Sequence, residues 1–226
     1  MSTRTPLIAS TTLIILMIVL SAWSWSAIPP NAQVAIHWDL HSHANGFAPK
    51  VLALGFAPVL ALVLTALFAL WPRVEPRRVN LAASRYPYAA GWIGAVGILT
   101  AVHVIVVMSA IGKMLDAGSE TLAAVSVLLI VLGNFLGKSR ANFFVGVRTP
   151  WSLSSDLSWE KSNRISGWLL VLTGATVLTA LISGPLDVAI FVMIVGTLGT
   201  ALAGVITSYV YWKRDPDRHA GDGVLE

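Results

Sequence analysis

The sequence contains no cysteine, so disulfides, thiolate nucleophiles and cysteine-ligated metals are excluded. Charge is scarce too. Only 12% of residues are Asp, Glu, Lys or Arg, against roughly 25% in a soluble domain. Motifs of common enzyme chemistry are missing: no phosphate-cradling GxxxxGK[ST], no GxSxG nucleophile elbow, no HExxH. The interiors of the apolar runs hold no Asp, Glu, Lys or Arg, which weighs against ion-coupled transport. These absences lead to the expectation of a non-enzymatic protein without a cofactor.

What is abundant is apolar sequence, at 56% of residues. It falls into six runs, 7–27, 51–71, 88–111, 121–137, 165–182 and 187–212, each near the length a bilayer core requires. The fold class expected is all-α, a polytopic integral membrane protein with six transmembrane helices. The first run could be a signal peptide, with Ser24 and Ser26 flanking a cleavage point. Its apolar core is long for that, and an uncleaved first helix is the reading adopted. Pro29 and Pro30 end it, and Pro58 predicts a kink in the second span. Gly91, Gly94 and Gly97 predict close helix packing in the third. Gly133 and Gly137 form a GxxxG in the fourth, with Asn134 as a cross-helix hydrogen bonder.

Basic residues give the orientation. With the N-terminus and C-terminus cytoplasmic, thirteen of the fifteen Lys and Arg lie inside, and only Lys50 and Lys113 lie outside. That charge also accounts for the net +4 without direct nucleic-acid binding. Trp23 and Trp25 then mark the outer interface, and Trp71, Trp92 and Trp212 the inner one. The organisation expected is a two-helix N-terminal domain, 1–87, with an extracytoplasmic loop at 28–50. A four-helix domain follows at 88–212, with a cytoplasmic loop at 138–164 and a flexible tail at 213–226.

Two loops and one buried residue could carry chemistry. In the outer loop His37, Asp39, His41 and His43 lie close in sequence, and imidazoles with a carboxylate can bind metal. Pro29, Pro30, Asn45 and Gly46 argue against a regular helix there. The alternative is a polar loop on the membrane surface with Trp38 and Phe47 among headgroups. No metal site is assigned, and His37, His41 and His43 are its weak candidates. His103 lies mid-membrane and suits hydrogen bonding to a neighbouring helix. In the inner loop, Ser155 is placed to cap a helix running into the fifth span, with Asp156 at its positive end. Arg140 and Arg148 could clamp a phosphate, a lipid headgroup or an acidic partner, or could simply anchor helices.

The run Gly133-Asn134-Phe135-Leu136, then Asn142, then Gly146-Val147-Arg148-Thr149-Pro150-Trp151-Ser152-Leu153, then Trp159, Asn163-Arg164 and Gly167 resembles the signature of the SdpI family. These are bacterial membrane proteins named for immunity to a secreted peptide toxin, the sporulation-delay killing factor. Ile28-Pro29, His37-Trp38, Gly46 and Lys50 resemble an uncharacterised domain that often precedes that signature. The resemblance implies a helical protein of six to seven spans in the bacterial inner membrane, and toxin protection. In the namesake it also implies signal transduction, through a cytoplasmic DNA-binding repressor held at the membrane once toxin is present. A position near Asn163 often holds His in relatives, so no role needing an imidazole there is carried over.

The expectation that results is a protein of the toxin-immunity and receptor type in the lipid bilayer. His37, Trp38, Asp39, Asn45, Gly46 and Lys50 would face an extracytoplasmic peptide toxin. Asn134, Arg140, Asn142, Gly146, Arg148, Thr149, Pro150, Trp151 and Trp159 would form the cytoplasmic end and meet the repressor. The alternatives are a small-molecule or lipid transporter or flippase component, and a structural membrane partner.

Overall fold

The computed structural model describes residues 3–39, 41–113 and 116–218. Six helices are long and apolar enough to cross a membrane: Arg4–Ala27, Lys50–Arg73, Arg85–Ala110, Ala117–Leu136, Asp156–Ser183 and Leu186–Arg214. Their regular parts are α1 (Arg4–Ser24), α2 (Lys50–Leu70), α4 (Arg85–Ala110), α5 (Ala117–Leu136), α7 (Asp156–Ser183) and α8 (Leu186–Arg214). Two short helices, α3 (Arg78–Ala83) and α6 (Pro150–Leu153), lie in the connections. The expected multi-pass helical membrane protein is what the chain forms.

The spans pack as two groups. α1, α2 and α4 pack on one another, α7 packs on α5 and α8, and α4 meets α5. Ile14, Met17, Ala61, Leu81, Tyr88, Trp92 and Val96 form one buried cluster of the first group. Ile18, Leu62, Leu198 and Leu202 are exposed on the spans, the surface that lipid covers. Trp92 is wholly buried, so it belongs to this core and not to the interfacial belt expected of it. Pro58 is buried inside α2.

Glycine sets how closely α5 and α7 cross. A Cβ added to Gly133 would lie 2.5 Å from the Gly167 carbonyl oxygen, and one added to Gly174 would lie 2.5 Å from that of Ser126. The GxxxG expectation therefore holds for Gly133. Asn134 differs from expectation: its amide donates to Ile130 O of its own helix at 2.9 Å, not across to another. Of the other glycine row only Gly94 makes a close approach, to Leu128, while Gly91 and Gly97 face open space.

The segment between α1 and α2 is not an irregular loop. β1 (Gln33–Trp38) and β2 (Ala44–Pro49) form an antiparallel hairpin, with Val34 opposite Ala48. Val34 and Ala48 turn inward, onto Ala53, Leu54, Val106 and Val107. Trp38 packs against this cluster too, so it faces protein and not headgroups. At the other end of the chain, Lys213 and Arg214 finish α8 and Asp215 is buried against Ser155, so the expected flexible tail begins as ordered structure. Residues 219–226 of that tail lie outside the described residues.

Candidate functional site

The connections gather at the two ends of the bundle. At the basic end the loop between α5 and α7 is built around buried polar side chains. Asn142 is fully buried. Its Oδ1 accepts the backbone N–H groups of Phe144 and Val145, both at 2.8 Å, and its Nδ2 donates to Arg140 O at 2.7 Å. Asn163 accepts from Val147 N at 2.7 Å and donates to Trp159 O at 2.9 Å. The Trp159 indole donates to Ser139 O at 2.9 Å. Gly146 has φ +134, and an added Cβ would lie 2.7 Å from both Asn163 Oδ1 and the Trp159 ring. No other residue fits that corner.

Caps fix the rest of this loop. Thr149 and Ser152 form a capping box on α6, with Pro150 at its first turn, and Thr149 Oγ1 also reaches Ser208 of α8 at 2.9 Å. Trp151 stacks edge-on against Tyr209 at 5.1 Å between centroids. Ser155 caps α7 by accepting from Ser158 N, as expected. Most of the signature residues thus hold the loop's own shape. Arg140 and Arg148 are exposed; the Arg148 guanidinium donates to Phe143 O.

The loop is docked onto the first helix group. Phe144 enters an aromatic cluster of Phe68, Trp71 and Tyr88, with centroids 5.0–5.2 Å away. Glu75 is fully buried beside it and accepts from Trp71 Nε1 at 3.0 Å and from Phe143 N at 3.1 Å. Arg77 donates to Leu153 O at 3.0 Å, and Asn80 to Ala141 O at 2.7 Å. Between α5 and α7 this end opens as a cleft of about 500 Å³, lined by Asn134, Lys138, Arg140, Trp159, Arg164 and Trp168, among others. Arg148 is not on its wall.

At the opposite end the hairpin covers the bundle. His37 Nδ1 lies 2.5 Å from Asn45 Oδ1, and a Cβ on Gly46 would lie 2.9 Å from His37 Cβ, which keeps that position glycine. Asp39 Oδ1 accepts the backbone N–H groups of His43 and His41 at 2.9 Å, the former bond chiefly holding its carboxyl below the usual 3.8. Ser42, at φ 62, donates to Asp116 Oδ1 and accepts from Gly118 N at 2.9 Å. This latches the hairpin tip to the start of α5. The Asp116 carboxyl is held below its ordinary value by the hydroxyls of Ser119 and Ser42.

Lys50 turns inward and does not face a ligand. It is buried, its ammonium donates to Trp25 O at 2.5 Å and Ile28 O at 2.7 Å, and it sits 4.2 Å from the Trp25 ring centroid. His37, Trp38 and Asp39, by contrast, help to line a cavity of about 270 Å³ against Val102, Ile105, Thr121 and Ile190. Among the described residues no three His, Asp or Glu side chains are grouped to hold a metal, so His37, His41 and His43 do not converge on one.

His103 joins three helices. Its Nε2 is 3.1 Å from Met17 O and 3.0 Å from Ser21 Oγ, which donates onward to Leu54 O at 2.9 Å. A carbonyl on Nε2 requires the proton there, so the ring donates and Ser21 accepts. A serine activated by this histidine would need the opposite arrangement.

Residues 138–210 match the SdpI/YfhL protein family, and residues 12–62 match a domain of unknown function, DUF1648. The SdpI/YfhL match covers about a third of the chain, the part from the loop after α5 through most of α8. The chain is 31% identical over 91 residues to the immunity protein SdpI of Bacillus subtilis (strain 168), a stretch covering 40% of this chain and 43% of that relative. It thus spans less than half the length of the relative that it matches. No solved structure matches the chain. The six spans and this partial match together make it a multi-pass bacterial membrane protein. At the basic end the SdpI/YfhL-like segment packs through Phe144 on Phe68, and Glu75 reinforces the joint; Phe68 and Glu75 both lie outside the two matched segments.

Sequence reasoning passed over Glu75, Ser42, Asp116 and Ser21. Glu75 carried a signal, since it is the only acid in the arginine-rich connection between the second and third spans. Ser42 and Asp116 carried none, because their pairing depends on how the hairpin folds back.

Proposed function

We propose that this protein is a non-enzymatic immunity protein of the bacterial cell membrane that protects against a membrane-active peptide toxin. The hairpin end lies outside the cytoplasm and the basic end inside, as the distribution of Lys and Arg supports. The observation that carries the reading is the cavity beneath the hairpin. His37, Trp38 and Asp39 form its edge, and Val102, Ile105, Leu122 and Ile190 supply an apolar floor at the mouth of the bundle. A polar rim over an apolar floor suits an amphipathic peptide arriving at the membrane surface. Its kinship with an immunity protein supports the same reading.

The test is survival. A bacterium without its own immunity gene, expressing this protein, is challenged with a peptide toxin of the sporulation-delay class, with membrane expression verified. Protection is expected for the native chain, and its loss for Trp38→Ala at the cavity and for Arg148→Ala at the opposite end. Sensitivity of cells with verified native protein rules out immunity to that toxin class. Full protection by Arg148→Ala rules out a role for Arg148.

A further inference from the structure

We infer that the cleft between α5 and α7 at the basic end is a binding site for a phosphate diester, the headgroup of an anionic phospholipid. Lys138, Arg140 and Arg164 line it together, and among the described residues none of the three has a carboxylate within ion-pair distance. The Arg140 and Arg164 side chains have no hydrogen-bond acceptor among the described residues either. Two carboxylates also line the cleft: Glu160 is engaged by Lys161 at 3.4 Å, and Asp156 sits in the first turn of α7, at the positive end of that helix.

The cleft changes character along its length. Gly133, Gly167 and Val171 line it on the membrane side, and the cations lie where α5 ends and its connecting loop begins. Trp168 is 69% exposed on one wall, placed as an interfacial anchor. Asn134 is exposed within an otherwise apolar span and faces this space, with one amide hydrogen committed to Ile130 O and another free. An apolar slot that ends in three cations without a carboxylate partner fits an acyl chain attached to an anionic head. Basic pockets between transmembrane helices bind such headgroups by the same chemistry. This inference is independent of immunity.

The experiment is native mass spectrometry of the full chain from nanodiscs of phosphatidylglycerol mixed with phosphatidylcholine. Phosphatidylglycerol is expected to remain bound in preference. Each cation removed lowers retention about fivefold, so Arg140→Gln with Arg164→Gln lowers it on the order of twentyfold. The paired Lys substitutions restore much of it. Arg73→Gln with Arg78→Gln removes the same charge from exposed positions at the same end and leaves retention unchanged. An equal fall for both pairs means diffuse attraction to the membrane and overturns the site, as does equal retention of the two lipids. Displacement of the lipid by millimolar inorganic phosphate assigns the cleft to soluble phosphate and overturns the lipid assignment. Unchanged thermal melting of the Arg140 and Arg164 variants separates lost binding from lost folding.

Discussion

Glu75 Oε1 accepts the backbone N–H of Phe143 at 3.1 Å, tying the connection after α2 to the connection after α5. The other oxygen holds the Trp71 indole at 3.0 Å. Glu75→Ala strands these donors in a buried place and should lower stability by about 3 kcal/mol or more. Glu75→Gln keeps one acceptor but turns an amide N–H toward a donor, so its loss should be smaller, about 1–3 kcal/mol. Thermal unfolding in detergent, followed by tryptophan fluorescence, measures both. An unchanged midpoint for Glu75→Ala would show that the tie contributes nothing.

The glycines separate into two kinds. Gly167→Ala places a Cβ 2.6 Å from the Gly133 carbonyl oxygen, and only helix separation can relieve it. Overpacking of that sort costs about 1–3 kcal/mol. Gly97→Ala meets nothing within 4 Å and should stay within about 0.5 kcal/mol of the native chain. If the two variants melt alike, the α5/α7 crossing is looser than these distances require.

The hairpin latch should depend on pH only in acid. The Asp116 carboxyl is depressed by the hydroxyls of Ser119 and Ser42. A depressed acid stabilises the folded form above its unfolded pKa, and that contribution is lost as pH falls through the folded one. Hydrogen exchange across 39–46, corrected for intrinsic rates, should be flat from neutral pH down to about 4 and rise below it. Ser42→Ala should expose the tip at every pH. Native-like protection in that variant would remove Ser42 from the latch.

Removing His103 cuts α4 from Met17 O and from Ser21 at once. His103→Phe should cost about 1–2 kcal/mol, the upper range for hydrogen bonds between membrane helices. Ser21→Ala leaves the Met17 bond in place and should cost less. Equal melting midpoints for both variants would mean that Ser21 carries the whole effect.

Length and hydropathy made the spans legible, and the Ser155 cap was legible because a polar oxygen followed by helix-forming residues is a local signal. The hairpin was not. Val34 and Ala48 are the one buried residue of each strand, too few to make a period-two pattern, and Pro29, Pro30 and Gly46 read equally well as loop. Trp92 misled because a tryptophan near a span end suits an interface, whereas the packing of Phe68 at 5.6 Å and Tyr88 at 6.3 Å encloses it. Asn142 and Trp159 stood out as motif residues, and the sequence offered a ligand-facing role for them. Their bonds turn inward because the loop's own N–H and C=O groups need partners where water is excluded. Arg140 and Arg164 lie 24 positions apart and share a cleft only because Gly133 and Gly167 let α5 and α7 touch.

The aromatic cluster at the basic end also orders assembly in time. Phe68, Trp71 and Tyr88 are synthesised before the fourth span, and α1, α2 and α4 can pack as soon as α4 has emerged. Their cluster nevertheless lacks a wall until Phe144 leaves the ribosome, and the buried Glu75 lacks its Phe143 partner until the same moment. A nascent chain stopped short of that point has every residue of its first helix group and an unsealed end.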